Sequence, residues 1–581
     1  MALGTTDNIT PYRYIPEQET SIECAFPCKV EPGQSIILDW GRKRTGWITV
    51  SGRGYFEITC ASDLRIFDVF AQPYSYFDPG VCPANPHEAV ELSREPGLIH
   101  PGMMALRFLS LKNTGNIPAI ITFVSMKPSE FPAQPSGSFE CSDEGINTGW
   151  QMGIDTVHLC TQPGEESQTP VFGPFGNGYV QWDGCRRDRE IWGGDLRPAS
   201  LAWYYNWEDQ TPIANSLYLI MSAQHCGCSE HGLFPGSASS HQIFYEWAFW
   251  ETVCLWEYIL HTGDQTLMRF AAKVMPIFLD WCERKFRESP NGWILASSSW
   301  MYTVPLKDEP LPALQAAAAI GLGAMEKLFT VLNDPDCAGR SRTLHDDIVS
   351  RFHGSFWSDE LKSYLFVQPK KGDIPRSDLA TNAWAILGGL TPASNVMTVL
   401  DSMNRLHRTD AGSINISPIL DGIFSHNGSI WPYANAYEVA ARFHAGDVNG
   451  ALDLFKRYTG TITEMGHNTL FEMFYKDGSL PIQKHMGDIL SLCHAWAAQG
   501  SWALQRYLLG AAPIKPGWTE FSFDPRPSYL DWVRGSIVTP QGPIDIEIEN
   551  GRGKVAYPGS LSIVGAGIYG SRMEFIRKQP Y

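Results

Sequence analysis

Trp182-Asp183-Gly184-Cys185-Arg186-Arg187-Asp188-Arg189-Glu190-Ile191-Trp192-Gly193-Gly194-Asp195-Leu196 is the stretch on which the reading of this chain turns. Its fifteen residues hold four carboxylates, three arginines and two tryptophans. A solvated helix face tolerates such a charge density, but it rarely interrupts it with Gly-Gly and two large aromatics. Acids that move protons, guanidiniums that fix hydroxyls and shift neighbouring pKa values, and aromatic faces that lie against a pyranose together suit a sugar site. Helical numbering places Asp188, Trp192, Asp195 and Ala199 on one stripe, with Asp183 to Arg187 on the loop that enters it. The plain alternative is a structural salt-bridge cluster, which the residues leave open for Asp195 in particular.

Outward from this stretch, the chain runs to 581 residues, more than one hydrophobic core usually serves, so two or three domains are expected. The net charge of −17 offers no basic stripe for nucleic acid and would be repelled by an anionic membrane surface. A neutral substrate suits it better. Met1 to Asn8 shows no basic and apolar leader, and no apolar run reaches membrane-spanning length, so an intracellular protein is expected. Thirteen cysteines, scattered singly, are expected to be mostly reduced and buried. His225-Cys226-Gly227-Cys228 lacks a second ligand pair at finger spacing, so no metal is expected. Without a glycine-rich nucleotide loop, no cofactor is expected either.

Residues 1–130 read as β structure, with short β-rich runs at 35–40, 46–50, 55–59, 106–111 and 119–124 punctuated by glycine and charge. A Pro/Ser/Gly-rich segment at 131–139 reads as a linker. Ser142 followed by two acids then signals a helix start. From 140 to 508 apolar residues recur at helical spacing, for example over 249–260, 311–320, 437–443 and 451–455, with no fixed repeat period. Residues 509–581 return to strand runs, including 518–525, 535–540 and 544–548.

The 183–195 run resembles the D-G-x-K-R-D-R-x-x-W-x-G-D signature of the α-L-rhamnosidases, glycoside hydrolase family 78, in their short-chain branch. Further segments resemble the same family. Gly466-His467-Asn468-Thr469-Leu470-Phe471-Glu472 is similar to its G-x-T-T-x-W-E segment, Ser491 to Trp496 to its S-L-[NC]-H-x-W box, and Thr539 to Pro543 to its Thr-Pro-x-Gly-Pro turn. The resemblance implies a central (α/α)6 six-hairpin barrel flanked by N-terminal and C-terminal β-sandwich domains. It implies an inverting exo-glycosidase, with Asp188 as general acid and Glu472 activating water. Asp183, Arg187, Trp192, Asp195, Trp300 and His494 would bind the sugar, with Trp247 and Trp250 as weaker stacking candidates. Glu190 is a second choice for the acid and reads otherwise as a helix-surface residue; Glu464 reads as solvated and Glu438 as a structural acid.

The chain departs from the family at Asn468, at Phe471, and at Ser299, which stands where many relatives carry the Asp of an Ile-Asp-Trp motif. Two other readings stand beside this one: a hydrolase or lyase on another sugar such as a uronide, and a carbohydrate-binding scaffold without hydrolysis, suggested by Ser299 and by Arg189 where the family's longer-chain branch has its acid Glu. The paired presence of Asp188 and Glu472 favours the hydrolase.

Overall fold

The computed structural model describes residues 13–16, 26–61, 88–166, 171–186, 188–225, 230–289, 291–296, 306–419, 428–480, 491–526, 529–565 and 570–579. In the N-terminal part β1 (Arg13–Pro16), β2 (Cys28–Val30), β3 (Ser35–Ala61), β4 (Glu88–Asn113) and β5 (Ala119–Pro128) form one antiparallel sheet. β3 is its hub, pairing with β1, β4 and β5, while β2 closes on β5. The three β-rich runs between 35 and 59 are one strand, not three. The charge cluster that looked like a turn is absorbed as a register shift between Asp39 and Arg44. Gly41 takes a φ of 73° there, and its amide donates to Asp39 Oδ1 at 2.7 Å. Alternate residues such as Ile36, Leu38, Ile48, Val50, Leu109 and Ile121 point inward and build a core separate from that of the remaining chain.

Twelve α-helices occupy the middle of the chain among the described residues. They are α1 (Glu144–Leu159), α2 (Gly193–Asn206), α3 (Thr211–Ser222), α4 (Tyr245–Thr262), α5 (Gln265–Glu288), α6 (Pro312–Val331), α7 (Pro335–Phe356), α8 (Leu379–Leu387), α9 (Val396–His407), α10 (Pro432–Ala445), α11 (Val448–Glu464) and α12 (Gln499–Leu504). The N-cap of α1 is Asp143, one residue beyond the serine that the sequence offered; its carboxylate accepts the amides of Gly145 and Ile146. α2 packs on α4, α4 on α6, α6 on α8, α8 on α10, α10 on α12, and α12 on α2. These helices are apolar nearly all round, and α2 and α10 are buried over almost their whole length, as helices lining the inside of a helical layer must be. α5, α7, α9 and α11 bury one stripe and give the other to solvent.

The chain ends in a second sheet. Strands Trp532–Ile537, Ile544–Glu549, Arg552–Pro558 and Met573–Lys578 follow one another across it. Ile544, Ile546 and Ile548 face inward while Asp545, Glu547 and Glu549 face water. Unlike the N-terminal sheet, this one shares a continuous apolar core with the helices. Its outer strand is β6 (Ser138–Cys141), which pairs Cys141 with Val533 and Ser138 with Ser536. The end of the segment read as linker is thus a strand that ties the entry of the helical part to the far end of the chain.

No described helix is long and apolar enough to cross a membrane. The nine described cysteines are free thiols, buried except for the half-buried Cys28. Cys226 and Cys228 lie outside the described residues.

The Gly193-Gly194 pair has a packing cause. A Cβ on Gly194 would sit 2.3 Å from the Trp247 ring, and one on Gly193 would sit 2.1 Å from Glu251 Oε1. Gly194→Ala is therefore expected to cost roughly 1–3 kcal/mol through overpacking. Denaturant unfolding would measure it, and an unchanged midpoint would contradict this packing of α2 on α4.

Candidate active site

The loop from Asp183 to Trp192 is organised by a carboxylate rather than by helix geometry. Asp183 is buried, and its two oxygens accept the backbone N–H of Asp188 at 2.9 Å and of Glu190 at 3.0 Å. The Asp183 amide donates back to the Glu190 carbonyl at 3.1 Å. Arg189 closes the turn with a φ of 60°, a conformation that a non-glycine residue adopts only under such constraint. Helix α2 starts only at Gly193, with Trp192 extended at its N-cap. The helical stripe expected through Asp188 and Trp192 is therefore absent. Only Asp195 and Ala199 of that set lie on the helix, because the Asp183 clasp holds the preceding residues in a loop.

Asp195, in the first turn of α2, is buried, and its Oδ1 lies 3.0 Å from His494 Nε2. His494 arrives on the 491–496 segment. That segment is threaded between the other two: the His494 amide donates to Leu470 O at 2.9 Å, the Ala495 amide to Asp183 O at 2.6 Å, and Gly184 pairs with His494 as an antiparallel bridge. Glu472 is fixed by the same segment, with its amide on Ser491 O at 2.8 Å and its Oε2 accepting the Ser491 amide at 2.9 Å. Stretches nearly three hundred residues apart in sequence thus meet through backbone bonds, which explains how three short motifs can build one site.

Asp183, Asp188, Asp195, Glu472 and His494 form one connected set of interacting charges, with Asp195 and His494 linking Glu472 to the two aspartates of the loop. Burial raises the Asp183 pKa, and the nearby Asp188 charge raises it further. Burial also raises Asp195, although its contact with His494 opposes this. Burial alone would lower the His494 pKa. The hydrogen bond to Asp195 and the charges of Glu472 and Asp183 overcome it and lift the value to about 9. Between Asp195 and His494 the direction we hold to is the histidine's, since three carboxylates surround one imidazole. His494 Nδ1 is buried and has no hydrogen-bond partner among the described residues. In the imidazolium form it is a buried N–H donor without a described acceptor.

This charge state has a stability consequence. The folded-state pKa of His494 lies above the ordinary value of about 6.5, so its contribution is complete below that value and is lost as pH rises through about 9. Thermal unfolding of the native chain is expected to fall across that interval more steeply than that of His494→Gln. Parallel profiles would refute the imidazolium.

The other candidates divide. Glu190 is not on a helix surface. It is buried, and its carboxylate accepts from the Ile191 amide, from the Ser239 amide and hydroxyl, and from the Ser240 amide, clamping the 237–240 loop to the site loop. Its pKa is raised by burial despite these donors. Glu438 is a structural acid, buried against Arg442 and Arg408, which bring its pKa down to about 2. Glu464 is exposed. Trp247 and Trp250 are fully buried core residues rather than stacking surfaces, whereas Trp192 is half-buried beside Phe244. Arg187, Ser299 and Trp300 lie outside the described residues.

Sequence reasoning missed the serine clamp on Glu190 and two buried acids of α4, Glu246 and Glu251. The latter had a signal, since an acid inside the aromatic run 245–256 must either surface or be buried.

The C-terminal part matches a family model, bacterial alpha-L-rhamnosidase C-terminal domain, over residues 510–558. No curated protein matches the sequence. Among solved structures, the family 78 rhamnosidase of Bacillus sp. GL1 superposes with a TM-score of 0.73 at 17% identity, over 96% of this chain and 55% of that one. The fold is that of the family 78 rhamnosidases. A Klebsiella oxytoca rhamnosidase with rhamnose bound gives 0.67 at 15% identity, over 86% of this chain and 95% of that one. A Streptomyces avermitilis α-L-rhamnosidase complexed with L-rhamnose gives 0.59 at 14% identity, over 93% and 48%. The chain thus spans about half the length of the Bacillus and Streptomyces proteins and nearly all of the Klebsiella one.

Proposed function

We propose that this chain is a glycoside hydrolase that releases terminal α-L-rhamnosyl or similar deoxysugar residues with inversion, by general acid and base catalysis. One observation carries the reading: Asp183, Asp188, Asp195, Glu472 and His494, chosen from three separate motifs, converge on one place. The fold shared with rhamnosidases, two of them holding rhamnose, supports it.

In this mechanism Asp188, half-buried at the rim of the cluster, protonates the glycosidic oxygen as the bond to the anomeric carbon breaks. Glu472, oriented by the Ser491 amide, takes a proton from the water that attacks the opposite face of the ring. Inversion calls for a separation of roughly 6.5–9.5 Å between the two carboxyls, room for that water. His494 donates from Nδ1 to a sugar hydroxyl while Asp195 holds its other nitrogen. Asp183 shapes the acid-bearing loop and accepts from the sugar, and Arg187, Trp192 and Trp300 complete the pocket. The substrate is a neutral glycoside, and the reaction needs no metal or redox cofactor.

The same proposal assigns the architecture. The cyclic packing of α2, α4, α6, α8, α10 and α12, with the amphipathic helices outside, supports an (α/α)6 barrel over 140–508. The two larger sheets support β domains at 1–130 and 509–581, with 131–139 as the connection, except that the second sheet takes Ser138–Cys141 as its edge strand.

A screen of p-nitrophenyl glycosides with the α-L-rhamnoside first, followed by proton NMR of the released sugar, tests the reading. First-formed β-L-rhamnose supports inversion. First-formed α anomer would make Glu472 a nucleophile, and no release from any α-L-rhamnoside would remove the proposal.

A further inference from the structure

At the far end of α2, where the helices meet the C-terminal sheet, lies an open cleft of about 550 Å³. Its walls come from three parts of the chain: Glu208 after α2 with Thr211 at the start of α3, Tyr258 and His261 near the end of α4 with Asp264 at the N-cap of α5, and Thr539 in the 538–543 turn. Tyr204 on the cleft wall lies nine residues along α2 from Asp195, roughly 14 Å at 1.5 Å per residue. The cleft therefore lies outside the candidate active site.

His261 gives the cleft its character. It is only 7% exposed, stacks on Tyr204 at 4.6 Å between ring centroids, and accepts the Trp518 indole N–H on Nδ1 at 3.2 Å. Nε2 therefore carries the proton, and no described residue hydrogen-bonds to it. Burial pushes its pKa down to about 3, so the ring is a neutral donor. Asp264 is already engaged, by the amides of Thr266 and Leu267 and by the Tyr258 hydroxyl. Glu208 is exposed and remains as an acceptor. No lysine or arginine lines the cleft, so nothing holds a phosphate or carboxylate. A buried donor facing a ligand disfavours an organic cation. The apolar 538–543 turn, with Val538, Pro540 and Pro543, offers a surface for C–H groups.

We propose that this cleft is a second saccharide site, which takes a neutral mono- or disaccharide unit through His261 Nε2–H and Glu208. The volume suits such a ligand. The site holds a glycan chain away from the bond being cut, and its existence does not depend on the identity of the sugar hydrolysed.

The test uses the full chain carrying Asp188→Asn, with methyl α-L-rhamnoside, methyl β-D-glucoside and cellobiose as probes and spermidine as the cationic control. Hydrogen exchange and calorimetric titration read the binding. At least one sugar is expected to protect residues 258–264 and 536–543 from exchange. Glu208→Arg, at an exposed position that leaves the fold intact, and His261→Phe should each weaken that binding roughly tenfold, the equivalent of one hydrogen bond. In the otherwise native chain, Glu208→Arg should leave hydrolysis of an aryl glycoside unchanged. Protection by no sugar, protection by spermidine alone, or sugar binding indifferent to Glu208→Arg would each overturn the proposal. Loss of hydrolysis with protection intact would count against the catalytic reading only.

Discussion

Glu472→Gln is expected to abolish turnover on every α-L-rhamnoside, whatever its leaving group. Water must attack in each case, and the glutamine amide that replaces the carboxylate cannot accept its proton. General base catalysis is worth roughly 10²–10⁴-fold, so kcat should fall by at least that range while KM moves little. The substitution keeps the size of the side chain, and an amide oxygen can still accept the Ser491 N–H that orients it. The fold should survive, as a thermal melt would show. External azide, which needs no base, should restore part of the rate and yield a glycosyl azide of inverted configuration. Residual activity near that of the native chain, or an azide product of retained configuration, would contradict the role given to Glu472.

Asp188→Asn should behave differently, and the contrast separates the two carboxyls. Natural glycosides have poor leaving groups that need a proton, so their turnover should fall by roughly 10²–10⁴-fold. Activated aryl glycosides leave without one, so the deficit should shrink on them. The backbone N–H of Asp188 donates to Asp183 Oδ2, a bond that does not depend on the side chain being a carboxylate. The asparagine variant should therefore keep the loop, and its effect should be chemical. An equal loss on good and poor leaving groups would make Asp188 a loop-forming residue and pass the acid's role to another carboxyl of the cluster.

Composition, punctuation and periodicity in the sequence displayed the succession of β-rich, helical and β-rich runs, and windows inside α4, α6, α10 and α11. Asp183, Asp188 and Asp195 stood out in one dense run of charge and aromatics, whereas Glu472 and His494 were singled out by the resemblance of their segments to family 78 motifs. Those are properties of neighbours along the chain, and neighbours along the chain are what a sequence displays. Tertiary structure decided what distant residues do to one another. Asp183 holds Asp188 and Trp192 off the helix because its carboxylate captures two amides, a competition that helical numbering cannot see. Glu190 is buried because Ser239 and Ser240 approach it from a loop some fifty residues away. Trp247 and Trp250 belong to the core because helices line both sides of α4, so their aromatic surface serves packing. The strand at Ser138–Cys141 could be assigned to the C-terminal sheet only once Val533 was beside it. The charge of His494 is likewise a tertiary fact: an isolated histidine titrates near 6.5, and only the folding of three carboxylates around it makes the imidazolium the stable form.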